Sequence, residues 1–304
     1  MKGVEMLLAP MVEIFCDIDD FCKHHERNNQ LKLLPNAGIK KRNRKPHLSM
    51  SEIMTILTFF HLSHYRTFKD FYQSCVLEEL STYFPKAVSY ERFVALTPRV
   101  LEPLTAYVLS KTGSQTGLYY MDSTKLVACH NRRIHNHKVF QGIAQRGHSS
   151  TGYFFGFKLH LAINHKGELM SFCVTRGKVD DRQVVDKLTQ GLTGLLAADK
   201  GYIDKKLTAR LADKELKLIT KVRKNMKKTM LTAFEKFFLY QRSIIETIIG
   251  QLKSICHIEH SRHRSPVNFL VNLVGGLAAY ALKPRKPEIK IKKRGKLDPL
   301  LIHN

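Results

Sequence analysis

The sequence lacks the short motifs that identify several common classes of protein. No C-x-x-C pair occurs among its six cysteines, so neither a zinc ribbon nor a disulfide framework is indicated. No apolar run reaches the roughly 18 residues that span a bilayer, and we therefore expect no membrane partner. No P-loop and no glycine-rich nucleotide fingerprint is present, so the sequence does not indicate chemistry driven by a nucleotide.

Acidic residues are scarce relative to basic ones. The 304 residues contain 50 Lys and Arg against 26 Asp and Glu, which gives a formal net charge of +24. Such an excess suits the phosphate backbone of a nucleic acid or an anionic membrane surface. The hydrophobic fraction of 43% is ordinary for a globular protein. No signal peptide is expected because Glu5 and Glu13 flank the apolar patch near the N-terminus, and the scattered thiols fit a reducing cytosol.

The N-terminal part of the chain has the pattern of an all-helical domain. A capping box, Ser49-x-x-Glu52, precedes apolar residues at helical spacing. The segment 113–117, Gly-Ser-Gln-Thr-Gly, is typical of a linker between domains. We therefore predict three parts: a helical domain at 1–115, a second domain at 116–282 and a basic C-terminal tail at 283–304.

The pattern changes to strands after this linker. Apolar and polar residues alternate in segments such as 153–164, and His165-Lys166-Gly167 suits a hairpin turn. The predicted order is three strands, a helix, a strand, a helix, a strand and a long helix. That is the order of a ribonuclease-H-like core, an α/β fold in which helices flank a mixed sheet. The strands are predicted at 118–128, 153–164, 168–175, 195–198 and 217–222, and the helices at 182–192, 203–214 and across Glu246.

Three acidic residues occupy three different predicted elements. Asp122 lies within the first strand, Asp199 ends the fourth, and Glu246 lies on the long helix. Carboxylates placed this way can converge on two divalent metal ions, because hard ions prefer carboxylate oxygens. In a strongly basic protein, such a pocket indicates phosphodiester chemistry on nucleic acid. Simpler interpretations stay open, since both aspartates could lie in turns and Glu246 could be a solvated helix residue.

The helix around Glu246 carries two basic residues on one side. At 100° per residue, Arg242 and Lys253 fall within about 40° of Glu246, opposite an isoleucine-rich stripe. We expect both to contact DNA phosphates beside the metal ions rather than pack in the core. The alternative is an ordinary i,i+4 ion pair between Arg242 and Glu246 on a solvated face. The pair Asp180-Asp181 is expected to cap a helix and could lie near the site.

Basic residues are concentrated in three segments. Two are 40–45 and 221–228, and the third is the tail, which holds eight basic residues between 283 and 296. Such runs are typical of exposed arms that contact phosphate. Histidines are also plentiful, but those from His257 onward recur every three residues and drift around a helix, so a zinc site is not favoured.

Seven segments of the chain carry a resemblance to a known family. They are 48–53, 89–93, the strand around Asp122, 138–144, 147–160, 198–202 and 223–227. Each is weak alone, but together they are specific and cover most of the chain. They resemble bacterial insertion-sequence transposases with a DDE triad, in particular the insertion-sequence 982 family. The resemblance implies that Asp122, Asp199 and Glu246 are the triad.

The same resemblance implies a cofactor, partners and further site residues. Mg²⁺ is the expected ion, with Mn²⁺ as a substitute and two ions in the site. The expected partners are DNA, as the terminal inverted repeats of the element and as target, and further copies of the chain bound to it. A cytoplasmic, nucleoid-associated bacterial protein is expected. Relatives space Tyr, Arg, Glu and Lys along the triad helix, and here Leu239 holds the tyrosine position with Tyr240 one place late. DNA contacts are expected at Arg242, Lys253, Lys200, Arg223 and Lys224.

The predicted activity is transposition, in which the protein cleaves the ends of an insertion sequence and joins them to target DNA. The N-terminal helices are expected to recognise the DNA ends. Two alternatives stay open: a structure-selective nuclease of the same fold, which cuts without joining, and a non-enzymatic repressor derived from a transposase. An intact acidic triad argues against the repressor, because a pure DNA binder gains nothing from three carboxylates that repel phosphate.

Overall fold

The structure, a computed structural model, describes residues 2–32, 47–63, 65–149, 151–221, 230–259 and 263–290. The chain divides into two units. The helical unit comprises Met1–Lys111 with Leu252–Lys283, and the sheet unit comprises Thr112–Gln251 with Pro284–Asn304. Among the described helices, none has the length and apolar character that a bilayer crossing requires.

Among the described residues, the N-terminal part of the helical unit contains five α-helices. They are α1 (Lys2–Lys32), α2 (Met50–Phe60), α3 (Phe68–Asp70), α4 (Tyr90–Leu96) and α5 (Leu101–Ser110), with a π-helical segment at Phe71–Glu79 and a 3₁₀ turn at Thr97–Val100. The predicted capping box is confirmed. The Ser49 hydroxyl accepts from the Glu52 N–H at 3.1 Å, and the Glu52 carboxylate accepts from the Ser49 N–H at 2.6 Å.

The sheet unit contains six described strands and four α-helices. They are β1 (Leu118–Cys129), β2 (Gln145–Ser149), β3 (Gly152–Asn164), β4 (Leu169–Arg176), β5 (Gly194–Ala198), β6 (Leu216–Thr220), α6 (Val185–Leu188), α7 (Lys205–Ala212), α8 (Ala233–Tyr240) and α9 (Ser243–Ser254). The helix predicted at 182–192 is shorter than expected, because its first turn, Asp181–Val184, is 3₁₀. The last described helix, α10 (Pro266–Leu282), belongs to the helical unit.

The sheet is mixed, with β1 at its centre. β1 pairs antiparallel with β3 and parallel with β5, and β5 pairs parallel with β6. The edge of β3 that faces away from β1 pairs with two strands. β2 pairs along the first half of β3, and β4 pairs along the second half. The ribonuclease-H-like order predicted from the sequence is confirmed, with β2 as an additional strand. β2 was missed because its sequence, Gln-Arg-Gly-His-Ser, has no apolar alternation and only Gly147 in it is buried.

The extent of the second domain differs from the prediction. The sequence placed residues 116–282 together, whereas the structure groups Leu252–Lys283 with the N-terminal helices. The reason is α10, which is apolar on almost every side and packs against α5 and α2 of the helical unit. A helix that is apolar all round must be buried, but its sequence does not say which elements cover it.

The two faces of β1 pack against different helices, so alternate side chains of the strand point towards different helices. Tyr119 and Met121 are buried in a cluster with residues of α6 and α7. Tyr120, on the other face, stacks on Phe238 of α8 with ring centroids 4.5 Å apart and donates its hydroxyl to the Phe238 carbonyl at 3.2 Å. Because side chains alternate along a strand, Asp122 shares the face of Tyr120, towards the end of α8.

Replacing Gly156 with alanine is expected to destabilise the centre of the sheet. A Cβ at this position in β3 would lie 2.1 Å from the Leu126 carbonyl oxygen of β1, and backbone cannot move aside as a side chain can. We expect a loss of about 1–3 kcal/mol in the free energy of unfolding, measured by denaturant titration. The control is Gly250→Ala on α9, where an added Cβ meets nothing within 4 Å and helix propensity predicts a gain of up to about 1 kcal/mol. Equal stability of wild type and Gly156→Ala would contradict the register of β1 and β3.

Candidate active site

Asp122 is held rigidly in the middle of β1. It pairs with Leu161 of β3, and its side chain is 21% exposed. Burial raises the pKa of the Asp122 carboxyl to about 6, although the Ser123 N–H donates to it at 2.8 Å and nearby Arg242 also favours the ionised form. A carboxylate kept in this position is costly unless a cation compensates it.

Asp199 reaches the same place from the neighbouring strand. The parallel register pairs Tyr120 with Ala197, and Asp122 and Asp199 each lie two residues further on. Neighbouring strands are about 4.8 Å apart, so the register sets the two aspartates side by side at one edge of the β1–β5 pair. The predicted placement, one aspartate within a strand and the other directly after the next strand, is confirmed.

Glu246 comes from α9, which is shorter than the sequence predicted. The continuous helix expected from Tyr240 to Lys253 is instead two helices, because α8 ends at Tyr240 and α9 begins at Ser243. Arg242 therefore lies in the turn between them. The Arg242 carbonyl accepts from the Ile245 N–H at 3.2 Å, which starts α9 with a tight turn. A helical wheel assumes one straight axis and could not show this break.

The Arg242 guanidinium contacts all three acidic residues. Its nitrogens lie 2.5 Å from a Glu246 oxygen, 3.3 Å from an Asp122 oxygen and 3.9 Å from an Asp199 oxygen. The Arg242 side chain is only 16% exposed, whereas Asp199 and Glu246 are 53% and 54% exposed. The i,i+4 pair considered from the sequence is therefore present, with a largely buried guanidinium and partly solvated carboxylates. The structure thus brings together Asp122, Asp199, Glu246 and Arg242.

The donor set of this cluster suits a hard divalent cation. Three carboxylates share one guanidinium, which leaves an excess of negative charge, and all the available donor atoms are oxygen. In the part of the chain that the structure describes, no three His, Cys, Asp or Glu side chains are already close enough to hold an ion. Arg242 occupies the space that the three carboxylates share, so its side chain and a metal ion would compete for it.

A second polar cluster adjoins Asp122. The Ser123 hydroxyl donates to one oxygen of Asp181 at 2.8 Å, and the Lys158 ammonium donates to the other at 2.7 Å. Asp180 caps the following 3₁₀ turn by accepting from the Arg182 N–H at 3.0 Å, as the sequence predicted. The contribution of Lys158 was missed, although its place in the alternating pattern of β3 was visible.

The other predicted DNA-binding residues lie in different surroundings. Lys200 is exposed at the start of a 3₁₀ turn directly after Asp199. Lys253 lies in the part of α9 that belongs to the helical unit, and its ammonium pairs with Glu259 at 2.9 Å. Arg223 and Lys224 lie outside the described residues. DNA contact by these four residues stays a prediction.

Comparisons with known proteins show the family and the fold of the chain. A family model described as "Transposase DDE domain" matches residues 112–266. Among solved structures, the chain is similar to piggyBac transposase in a cryo-EM structure of its synaptic complex with hairpin DNA. The TM-score is 0.51 at 10% sequence identity, and the similarity covers 89% of this chain and 72% of that one. At this identity the similarity shows the fold alone, and it supports the ribonuclease-H-like assignment. The search of curated proteins found no match.

Proposed function

Because the chain belongs to the transposase DDE domain family, we propose that it is an insertion-sequence transposase of the insertion-sequence 982 family, which cleaves the ends of its element and joins them to target DNA. One observation supports this most directly. Asp122, Asp199 and Glu246, which come from three separate elements, converge on a single guanidinium. A cluster of carboxylates with too little positive charge suits metal-dependent phosphodiester chemistry.

The three carboxylates would hold the metal ions. We propose Mg²⁺, with Mn²⁺ as a substitute and two ions in the site. When bound, a pair of such ions supplies an activated nucleophile and a stabilised leaving oxygen. Asp122 fits this role because the paired strand and the Ser123 N–H fix the direction of its carboxylate. Arg242 could turn from the carboxylates to a DNA phosphate, which its planar fork can hold through two hydrogen bonds.

The proposed reaction consists of two in-line displacements at phosphorus. In the first, water attacks the phosphodiester at the element end, the bond to the 3′ oxygen breaks, and a proton passes to that oxygen to give a free 3′-hydroxyl. In the second, this hydroxyl loses its proton and attacks a phosphodiester of the target, a new P–O bond forms, and the target's own 3′ oxygen leaves and takes up a proton. Both steps use the same kind of site, so one acidic cluster can serve both.

The proposed partners are the terminal repeats of the element, target DNA and further copies of this chain assembled on DNA. The net charge of +24 supports a polyanionic partner. The similar piggyBac transposase was solved in a synaptic complex with hairpin DNA. We assign end recognition to the helical unit, and we place the protein in the bacterial cytoplasm with the nucleoid.

Incubation of the purified protein with a labelled element end and Mg²⁺ tests this proposal. A transposase yields a discrete nick at the end, and a pre-nicked end is then joined to a target plasmid. Cutting without joining would instead indicate a structure-selective nuclease. Binding without metal-dependent cutting would indicate a repressor, and either outcome would overturn the proposed activity.

Neutralising the basic tail is expected to weaken DNA binding about equally on all sequences. Lys and Arg bind phosphate without reading bases, and each duplex phosphate contact adds about 0.9 to the slope of log K against log salt concentration. We expect a lower affinity and a flatter slope, measured by fluorescence anisotropy between low and physiological salt. An unchanged slope would show that the tail does not touch DNA. The residues to replace with Gln are Lys283, Arg285, Lys286, Lys290, Lys292, Lys293, Arg294 and Lys296, of which the last four lie outside the described residues.

A further inference from the structure

A groove of about 780 Å³ opens on the sheet unit beside the acidic cluster. This volume lies within the range of roughly 300–1,000 Å³ that is typical of ligand sites. We call it the edge groove and define it by Arg146, His148, Tyr153, Lys178, Asp181 and Gly201. None of these residues belongs to the acidic cluster, so the mechanism above leaves the groove without a role.

An exposed aromatic ring forms one wall of the edge groove. Tyr153, at the start of β3, is 74% exposed. It pairs across the β2–β3 hairpin with His148, whose ring lies 4.9 Å away at 71°. The Asn131 amide donates to the Tyr153 carbonyl at 2.9 Å and fixes the backbone below the ring. The backbone at Tyr153 is therefore fixed, and most of the ring surface remains open to a ligand.

The charge on the groove favours an anion. Lys158 is paired with Asp181, and the carboxylate of Asp180 is paired with Arg182. Arg146 and Lys178 are exposed and have no acidic partner among the residues that the structure describes. Two uncompensated cations beside an exposed ring form the combination that binds the phosphates and bases of a nucleic acid strand.

Two buried glycines in the lining of the groove hold its strands close together. A Cβ on Gly147 of β2 would come within 2.2 Å of the Gly177 carbonyl oxygen, and a Cβ on Gly177 within 2.6 Å of the Gln145 carbonyl oxygen. A larger residue at either position would therefore push apart the backbone segments that line the groove.

The groove lies near the strand ends that carry the proposed reaction centre. Gly201, in its lining, lies two residues after Asp199, and Asp181 accepts from Ser123, whose side chain lies on the opposite face of β1 from that of Asp122. Tyr153 precedes Leu161, the residue paired with Asp122, by eight positions along β3. At about 3.3 Å per residue that is up to roughly 26 Å, or several nucleotides of a bound strand.

We propose that the edge groove binds an unpaired stretch of DNA, with one base stacked on Tyr153 and the backbone held by Arg146 and Lys178. This inference rests on the proposed function, because it makes the groove a path for the strand that reaches the acidic cluster. Duplex DNA does not fit the role, since paired bases present only their edges in the grooves, whereas stacking on a ring needs an exposed base face.

Binding of a fluorescein-labelled 20-nucleotide single strand, measured by anisotropy with the full chain in EDTA, tests the stacking. We expect Tyr153→Ala to weaken binding about 5- to 150-fold, which corresponds to the roughly 1–3 kcal/mol that one stacked base contributes. Tyr153→Phe keeps the ring and should bind within about twofold of wild type. The control is Phe237→Ala, which removes an aromatic ring that is 42% exposed on α8 of the sheet unit and should bind like wild type.

Salt dependence separates the charges from the ring. The double variant Arg146→Ala/Lys178→Ala should lower the slope of log K against log salt concentration by about 1.4, since each single-strand phosphate contact adds about 0.7. The loss of single-strand affinity caused by Tyr153→Ala should be nearly the same at low and high salt. A matching duplex should show little loss with Tyr153→Ala. Unchanged single-strand binding in Tyr153→Ala, or an equal loss on duplex, would overturn the proposal.

Photo-cross-linking shows which part of the DNA contacts the edge groove. It also tests the groove independently of the proposed cleavage activity. An element end with a 5-iodouracil in an unpaired stretch several nucleotides from the cleavage position should give an adduct on Tyr153, identified by mass spectrometry. Adducts confined to other residues would overturn the groove. None of these measurements needs cleavage, so an inactive protein that still cross-links at Tyr153 would contradict the proposed activity and leave the groove standing.

Discussion

Asp122→Asn, Asp199→Asn and Glu246→Gln should each abolish strand cleavage while leaving DNA binding intact or tighter. Each change removes one negative charge and one ionised oxygen ligand while nearly preserving side-chain shape. Metal-assisted charge stabilisation is worth several kcal/mol, so we expect a loss of about 1,000-fold or more in the cleavage rate. Binding survives because the basic surface is untouched, and removing a carboxylate that repels phosphate favours DNA.

Single-turnover cleavage of a labelled element end in Mg²⁺, with binding measured separately in EDTA, checks this expectation. Asp186→Asn is the matched control, because it makes the same change in a carboxylate of the sheet unit that pairs instead with Arg210 and Lys214. This control should cleave at a near wild-type rate. Near wild-type cleavage by any of the three variants would remove that residue from the site. Loss of binding and cleavage together would indicate a folding defect instead.

The two aspartates could be predicted from the sequence because strand physics is local. Each follows a short run of apolar residues that is typical of a buried strand, and the ends of adjacent parallel strands meet at one edge of a sheet. Asp122 and Asp199 therefore meet once β1 and β5 pair. Glu246 was predictable as a helical residue, since the apolar spacing of α9 places Ile244 and Ile248 in the core.

Features that depend on tertiary contacts could not be predicted in this way. Neither glycine nor proline lies between Tyr240 and Ser243, yet the helix breaks there and puts Arg242 among the carboxylates. Ser243-x-x-Glu246 matches the pattern of a helix start, but it does not show where the new helix places Arg242. β2 is held by backbone pairing to β3 and by the close approach of Gly147 to Gly177, which no periodicity encodes. The edge groove follows from β2 and was therefore invisible in the sequence.

Arg242→Ala is expected to bind Mg²⁺ more tightly than wild type and yet to cleave and join DNA poorly. In DNA-free protein, the guanidinium lies among the three carboxylates and competes with a metal ion for them. Its removal should raise Mg²⁺ affinity, measured by calorimetry on the DNA-free protein. Cleavage should still fall by about 100-fold or more, because a preorganised charged donor to phosphate is lost. Arg242→Lys should recover only part of the rate, since an ammonium lacks the planar fork.

Thermal melts with and without Mg²⁺ separate this role from a purely structural one. Without metal, Arg242→Ala leaves Asp122 largely buried and without its cation, which should lower the melting temperature by roughly 2–8 °C, and Mg²⁺ should restore most of that loss. Arg210→Ala, which removes a half-exposed arginine paired with Asp186, should melt with the same Mg²⁺ response as wild type. An equal Mg²⁺ response in Arg242→Ala and wild type would contradict the competition. Full cleavage by Arg242→Ala would show that the residue only balances charge, and a melt that Mg²⁺ cannot restore would show that it supports the turn between α8 and α9.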